Sequence, residues 1–242
     1  MKKNLTLFSF LLIVVCLTAF VSNKKAPRIL VFSRTLGFHH ASIPTGVAAI
    51  QKIGLDNNIK VDSTTDANYF TEKTLKNYAA VVFLSTTGNV LNDEQQAAFE
   101  QFIKKGGGYV GIHAATDTEY DWPWYNQLVG AYFKSHPKQQ DAVLHVIDQT
   151  HISTLHLPKD WKRFDEWYNF KSIQPNLHVL ITIDEKSYTG GENGDYHPMA
   201  WYHDFDGGRA FYTEFGHTDE SYADPLFIQH VTGGIAYAVN KK

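Results

Sequence analysis

The stretch Ala79–His113, AAVVFLSTTGNVLNDEQQAAFEQFIKKGGGYVGIH, decides the fold class. Ala79–Leu84 is a continuous apolar run rich in β-branched residues, the pattern of a strand covered on both faces. Asn92, with Gln95 three residues on, makes a capping-box start to a helix running to Lys105. Gly106–Gly108 stop that helix, and Tyr109–His113 resumes a strand. Strand, helix and strand within roughly 35 residues form a βαβ unit, whose two strands run parallel.

The same alternation continues towards the N-terminus. Arg28–Ser33 (RILVFS) reads as a strand, and Ile43–Ile53 has apolar residues at 43, 47, 50 and 53, which is helical spacing. Pro44 suits the first turn of that helix, and Gly54 is placed to end it. Ile59–Asp62 is a further strand. Beyond about residue 140 the pattern becomes β-rich, with strands over Ala142–Ile147, Leu177–Ile183 and Ala200–Tyr202. Asp206-Gly207-Gly208 then turns the chain into Arg209–Glu214 as a hairpin, and Asp224–Val239 closes it as a helix entered through Pro225. The expectation is one α/β domain over residues 27–240: a doubly wound, mostly parallel sheet with a β-rich C-terminal half.

The 242 residues are 19% charged and 14% aromatic, which opposes disorder. A net charge of −3 leaves no electrostatic footprint for nucleic acid. No GxGxxG follows the first strand, so neither NAD nor flavin is expected. Lys2 and Lys3 precede an uncharged, mainly apolar run from Leu5 to Phe20, the form of a secretory signal peptide over residues 1–22. The predicted location is therefore periplasmic or cell-envelope, with no membrane span after the signal is removed. Cys16 is the chain's one cysteine, and the bulky Val14 and Val15 before it argue against a lipobox. Without residues 1–22 no thiol chemistry is available.

Ligands of open α/β sheets sit outside the carboxyl ends of the parallel strands. The loop Arg34-Thr35-Leu36-Gly37-Phe38-His39-His40 follows the first strand. Adjacent histidines cannot both face one point, so one of His39 and His40 is the functional candidate. Gly111-Ile112-His113-Ala114-Ala115 places a histidine among small residues at a strand end, the geometry of a nucleophile elbow without Ser or Cys. Imidazole there suits a metal ligand or a general base, with a buried structural histidine as the plainer reading. Further along lie His136-Pro137, Asp165-Glu166-Trp167-Tyr168, His197-Pro198 and Gly216-His217. His113, Glu166, His217 and Arg34 are the catalytic candidates, with Glu166 as acid, base or ligand and Arg34 as oxyanion stabiliser. His39, His40, His113 and His136 are the candidate ligands of a divalent metal such as Zn²⁺. Phe38, Thr116, Asp117, Trp124, Trp167 and Trp201 are the candidate substrate contacts.

The run from Arg28 through Phe38-His39-His40, then GGGYVGIHAATDTEYDWPWYNQLVGAYFKSHP, DEWYNF and HPMAWYHDFDGGRAFYTEFGHTDESY, resembles the ThuA-like family, named for trehalose utilisation. The resemblance covers nearly all of residues 27–239. It implies a class I glutamine amidotransferase-like, flavodoxin-like sheet. Amidotransferases of that fold carry Cys at the elbow, where this chain has His113, and keep their catalytic His near the place of His217. The resemblance also implies sugar metabolism, including a bacterial route through 3-keto derivatives of disaccharides. Two functions follow as expectations: an exported enzyme acting on a glycoside or keto-sugar by acid–base chemistry, or a non-catalytic carbohydrate-binding protein on the same fold. A small carbohydrate is the expected partner, with homo-oligomerisation left open.

Overall fold

A computed structural model describes residues 25–240; the expected signal peptide and Cys16 lie outside them. The N-terminal half alternates as the sequence requires. Strand β1 (Arg28–Phe32) leads to helix α1 (Ile43–Asp56), then β2 (Lys60–Thr64), a single turn of helix α2 (Glu72–Leu75), β3 (Ala80–Leu84), α3 (Asp93–Lys104) and β4 (Gly108–Ile112). Every residue of β3 and β4 is buried, which is why both are unbroken apolar runs. The capping box of α3 forms as expected, with Asn92 and Gln95 bonding each other's backbone N–H. Pro44 lies in the first turn of α1, but Gly54 does not end that helix. A Cβ at Gly54 would stand 2.3 Å from Val61 Cγ2 and 2.7 Å from Ile59 O, so the glycine lets α1 press onto β2.

Next come α4 (Pro123–Val129), β5 (Tyr132–Ser135), β6 (Gln140–Val146), β7 (Asp160–Asp165), β8 (Asn169–Lys171), β9 (His178–Ile183), β10 (Pro198–Phe205), β11 (Gly208–Thr213) and α5 (Pro225–Val239). The main sheet has nine strands in the order β2-β1-β3-β4-β11-β10-β9-β6-β7. The first five run parallel, and each later neighbour is antiparallel to the one before. Asp206 (φ 49°) and Gly207 (φ 92°) form the two-residue turn between β10 and β11, both in the left-handed region that a tight hairpin demands.

Two features of the antiparallel half bring distant segments to the site. Strands β5 and β8 pair in a small second sheet. Strand β7 lies four places from β11 in the main sheet, yet Asp165 at its end accepts a hydrogen bond from the backbone N–H of Gly216, just beyond β11 (3.1 Å). The antiparallel half therefore curls back onto the parallel half.

His230 on α5 is fully buried, bonded through Nδ1 to Ser153 O and through Nε2 to Thr213 Oγ1. Burial pushes its pKa down to about 3. The unfolded chain takes up a proton near pH 6.5 that the folded chain refuses. His230 therefore stabilises the fold fully above about pH 6.5, and that contribution declines by about 1.4 kcal/mol per pH unit as pH falls towards its folded pKa. Urea unfolding of the chain beside its His230→Gln variant between about pH 7 and pH 5 is expected to show a decline in the wild type that the variant lacks, and parallel profiles would contradict it.

Candidate functional site

The carboxyl ends of β1, β4 and β11 each deliver one histidine to a common point. His40 lies in the loop between β1 and α1 and is 3% exposed, whereas His39 faces solvent and bonds Thr35 Oγ1. Of the adjacent pair, only His40 turns inwards. His113 follows β4 directly with φ 51°, an uncommon conformation for a side-chain-bearing residue. A Cβ at Gly111 would meet Tyr109 Oη at 2.8 Å and Ala115 Cβ at 3.2 Å, so the elbow needs its small neighbours. His217 follows β11 through Gly216 (φ 112°). Glu166 arrives from the end of β7, carried by the curl of the sheet.

One donor atom from each of His40, His113, Glu166 and His217 lies within 4.8 Å of the others. His113 Nε2 is 3.2 Å from His40 Nε2 and 3.1 Å from His217 Nδ1. Glu166 Oε2 is 3.1 Å from His217 Nδ1 and 3.6 Å from His113 Nε2. His113 Nδ1 is 2.8 Å from the carbonyl oxygen of Glu214. A carbonyl only accepts, so Nδ1 carries the proton and, in the neutral ring, Nε2 presents a lone pair to the cluster. A second bond that orients the ring in this way is the habitual support of a metal-ligating histidine.

The electrostatics favour proton-free His40 and Glu166, and a proton on His217 that a bound cation would have to displace. Burial, reinforced by repulsion from His113 and His217, pushes the His40 pKa down to about 2. Burial would raise the Glu166 carboxyl, but bonds and charge from His113 and His217 outweigh it and hold the group below the usual carboxylate range. Burial would lower His217, but its bond to Glu166 raises it instead. Three imidazole nitrogens and a carboxylate facing one point form an N₃O set suited to Zn²⁺ or a similar ion, and these residues fit such a group.

Around the cluster, His136 is half-exposed with Nδ1 3.1 Å from Glu166 Oε1, so it stands at the mouth rather than among the four donors. The buried Tyr168 ring packs 4.5 Å from His113, and the exposed Phe38 ring lies edge-on to His40 at 4.8 Å. Asp117 accepts from Tyr120 Oη (2.6 Å), and burial raises its carboxyl pKa.

Other sequence candidates stand elsewhere. Thr116 is fully buried against Tyr212 Oη. Trp167 and Trp201 are also fully buried, their indole N–H groups donating to Gln140 O and Val129 O, so neither offers a face to a ligand. Trp124 donates to Asp206 at the β10–β11 turn, the opposite end of the parallel strands from the cluster. Arg34 donates to Val90 O and lines a separate cleft, away from any oxyanion at the cluster.

The supports of Glu166 and His217 escape sequence reasoning. Asp165 is fully buried: its Oδ1 accepts from Glu166 N (3.0 Å), and its Oδ2 accepts from Gly216 N (3.1 Å) and Ser221 Oγ (2.8 Å). Arg163 lies 3.6 Å from the same carboxylate, pairs with Asp224 and stacks over Trp161. The only sequence signal for this network is the Asp165-Glu166 doublet.

The family model for ThuA, described as trehalose utilisation, matches residues 28–238. The chain belongs to the ThuA family. Its fold is similar to that of a ThuA-like protein from Bacteroides uniformis ATCC 8492, at 24% identity and TM-score 0.74, covering 88% of this chain and 92% of that one. A ThuA-like protein from Parabacteroides merdae ATCC 43184 matches at 20% identity and TM-score 0.72, covering 88% of this chain and 90% of that one. A β-galactosidase from Bacillus circulans sp. alkalophilus contains the fold within 30% of its length, over 89% of this chain, at 11% identity and TM-score 0.54. No curated protein matches the chain. In this ThuA-family member the elbow residue is His113, so the position that would hold a nucleophile instead contributes to the four-donor cluster.

Proposed function

We propose that this ThuA-family protein is an exported sugar-processing enzyme, acting on a glycoside or keto-sugar by acid–base chemistry at a divalent metal held by His40, His113, His217 and Glu166. The observation that carries this reading is the convergence of the four donors within 4.8 Å at the carboxyl edge of the sheet. Export rests on the leader pattern of residues 1–22. A bound divalent ion would supply Lewis-acid polarisation of a carbonyl oxygen.

The remaining roles belong to the chain. A ketone beside the anomeric carbon's neighbour acidifies the intervening C–H, and His136, anchored to Glu166, takes that proton at the mouth of the cluster. The electron pair left on carbon moves to the ketone oxygen and then returns to expel the anomeric substituent. Asp117, a carboxyl bonded to Tyr120 and raised in pKa by burial, returns a proton to the leaving oxygen. Phe38 and Tyr168 supply apolar walls. A binding module based on open aromatic faces has less support, because Trp167 and Trp201 are in the core.

Turnover of 3-keto-glucosides and of the parent glycosides tests this reading, with protein that has been metal-loaded, chelator-treated or reloaded. Activity that disappears on chelation and returns with a divalent ion is expected. Undiminished turnover after complete metal removal would overturn the metal-assisted reading.

A further inference from the structure

The cleft that holds Arg34 lies at the reversal of strand order around β1, beside the carboxyl ends of β1, β2 and β3. That is where open α/β sheets place ligands. Its volume of about 620 Å³ is within the range of small-molecule sites. Its lining is polar, dominated by Arg34, Asp66, Asn68, Asn89, Asn92 and Gln95, and includes no aromatic residue.

Local bonds hold most of these groups in place. Asn92 Oδ1 and Gln95 Oε1 are engaged in the capping box of α3. Asp66 Oδ1 accepts from Asn68 N, Asn89 Nδ2 donates to Asp121, and Arg34 Nη1 donates to Val90 O. The side-chain amide nitrogens of Asn92 and Gln95, the rest of the Arg34 guanidinium, the Asn89 side-chain oxygen and the Asn68 side-chain amide make no hydrogen bond among the described residues. A pre-positioned mixture of donors and acceptors is thus left facing open space.

We propose that this cleft is a second binding site, for a neutral polyhydroxylated ligand of sugar-ring size, separate from the histidine cluster. Side-chain amides offer both a donor and an acceptor, which matches vicinal hydroxyls that do the same. Arg34 and Asp66 bring opposite charges to the lining, so the cleft presents no single-signed field that would favour an ion over a neutral ligand. The lack of an aromatic wall removes the usual platform for a nucleotide base or flavin ring. The site is also tied to the cluster, because Arg34 and His40 are the two ends of one loop, pinned at its middle by Gly37 N donating to Thr87 Oγ1.

Isotope-labelled protein titrated with glucose, maltose and glucose 6-phosphate tests the proposal by amide NMR. Glucose and maltose are expected to shift the signals of Asn68, Asn89, Asn92 and Gln95. Arg34→Met should weaken that binding about tenfold or more. Asn68→Ala, at an exposed position, provides the same test if Arg34→Met fails to fold. His113→Ala should leave these shifts unchanged, so loss of the metal reading and loss of this one are separable. Three results would overturn the proposal: tighter binding of glucose 6-phosphate than of the neutral sugars, sugar shifts confined to His40 and His113, or no shift with any probe.

Discussion

Replacing His113 with alanine is expected to abolish tight metal binding and to lower turnover about 10³-fold or more, the scale on which removal of a central catalytic group acts. The size of the effect follows from geometry. His113 Nε2 is within 3.2 Å of the donor nitrogens of both His40 and His217, and its Nδ1 is fixed by Glu214 O. Truncation removes the central donor and leaves three peripheral groups. It also removes a buried ring that fills space against Tyr168. Stability is expected to fall as well, because alanine keeps the strained φ of 51° while losing the packing of the ring. Calorimetric metal titration read beside thermal unfolding separates the two effects. A variant that keeps wild-type metal affinity would exclude His113 as a ligand.

The second large effect is expected at Asp165, which contacts no ligand itself. Its carboxylate joins Glu166 N, Gly216 N and Ser221 Oγ, and so fixes the two segments that carry Glu166 and His217. Asp165→Asn keeps the size but replaces one acceptor oxygen with an NH₂ that meets N–H and O–H donors. It also takes away one of the two carboxylates near Arg163, whose side chain is 4% exposed. Breaking a buried pair costs about 3–5 kcal/mol, and the remaining Asp224 partner places this change near the low end, about 3 kcal/mol. Loss of such outer support weakens metal binding about 10–100-fold. Urea unfolding and metal titration of the variant check both parts. Unchanged affinity in a destabilised but folded variant would reduce Asp165 to a structural role.

The parallel half of the fold was legible because burial on both faces writes β3 and β4 as uninterrupted apolar runs, and because the α3 cap is local chemistry. Strand β7, Asp160–Asp165, was not. Its inward residues are Trp161, Arg163 and Asp165 while Phe164 is 51% exposed, so its polarity runs against the usual alternation. The short β5 and β8 depend on pairing across more than thirty residues of chain, which no local pattern encodes. Helix α2 is only four residues long.

The site divides along similar lines. His113 and one of His39 and His40 could be read from their places at strand ends, because strand-end loops of a doubly wound sheet converge. Glu166 and His217 could be named from residue type, but only the curl of the antiparallel half brings Glu166 to the others. Assigning Trp167 and Trp201 to substrate fails for a physical reason. Indole suits both a core and a sugar platform, and composition does not say which face is covered. Arg34 follows the correct strand but turns into the neighbouring cleft.

Metal content tests the central claim most directly. The purified chain would be loaded in turn with Zn²⁺, Mn²⁺, Ni²⁺ and Ca²⁺, desalted, and measured by plasma mass spectrometry. Retention of about one ion per chain, with a preference for the ions that favour imidazole, is the result predicted by an N₃O set. Retention of no ion under any loading condition would contradict the account of His40, His113, His217 and Glu166 as a metal centre.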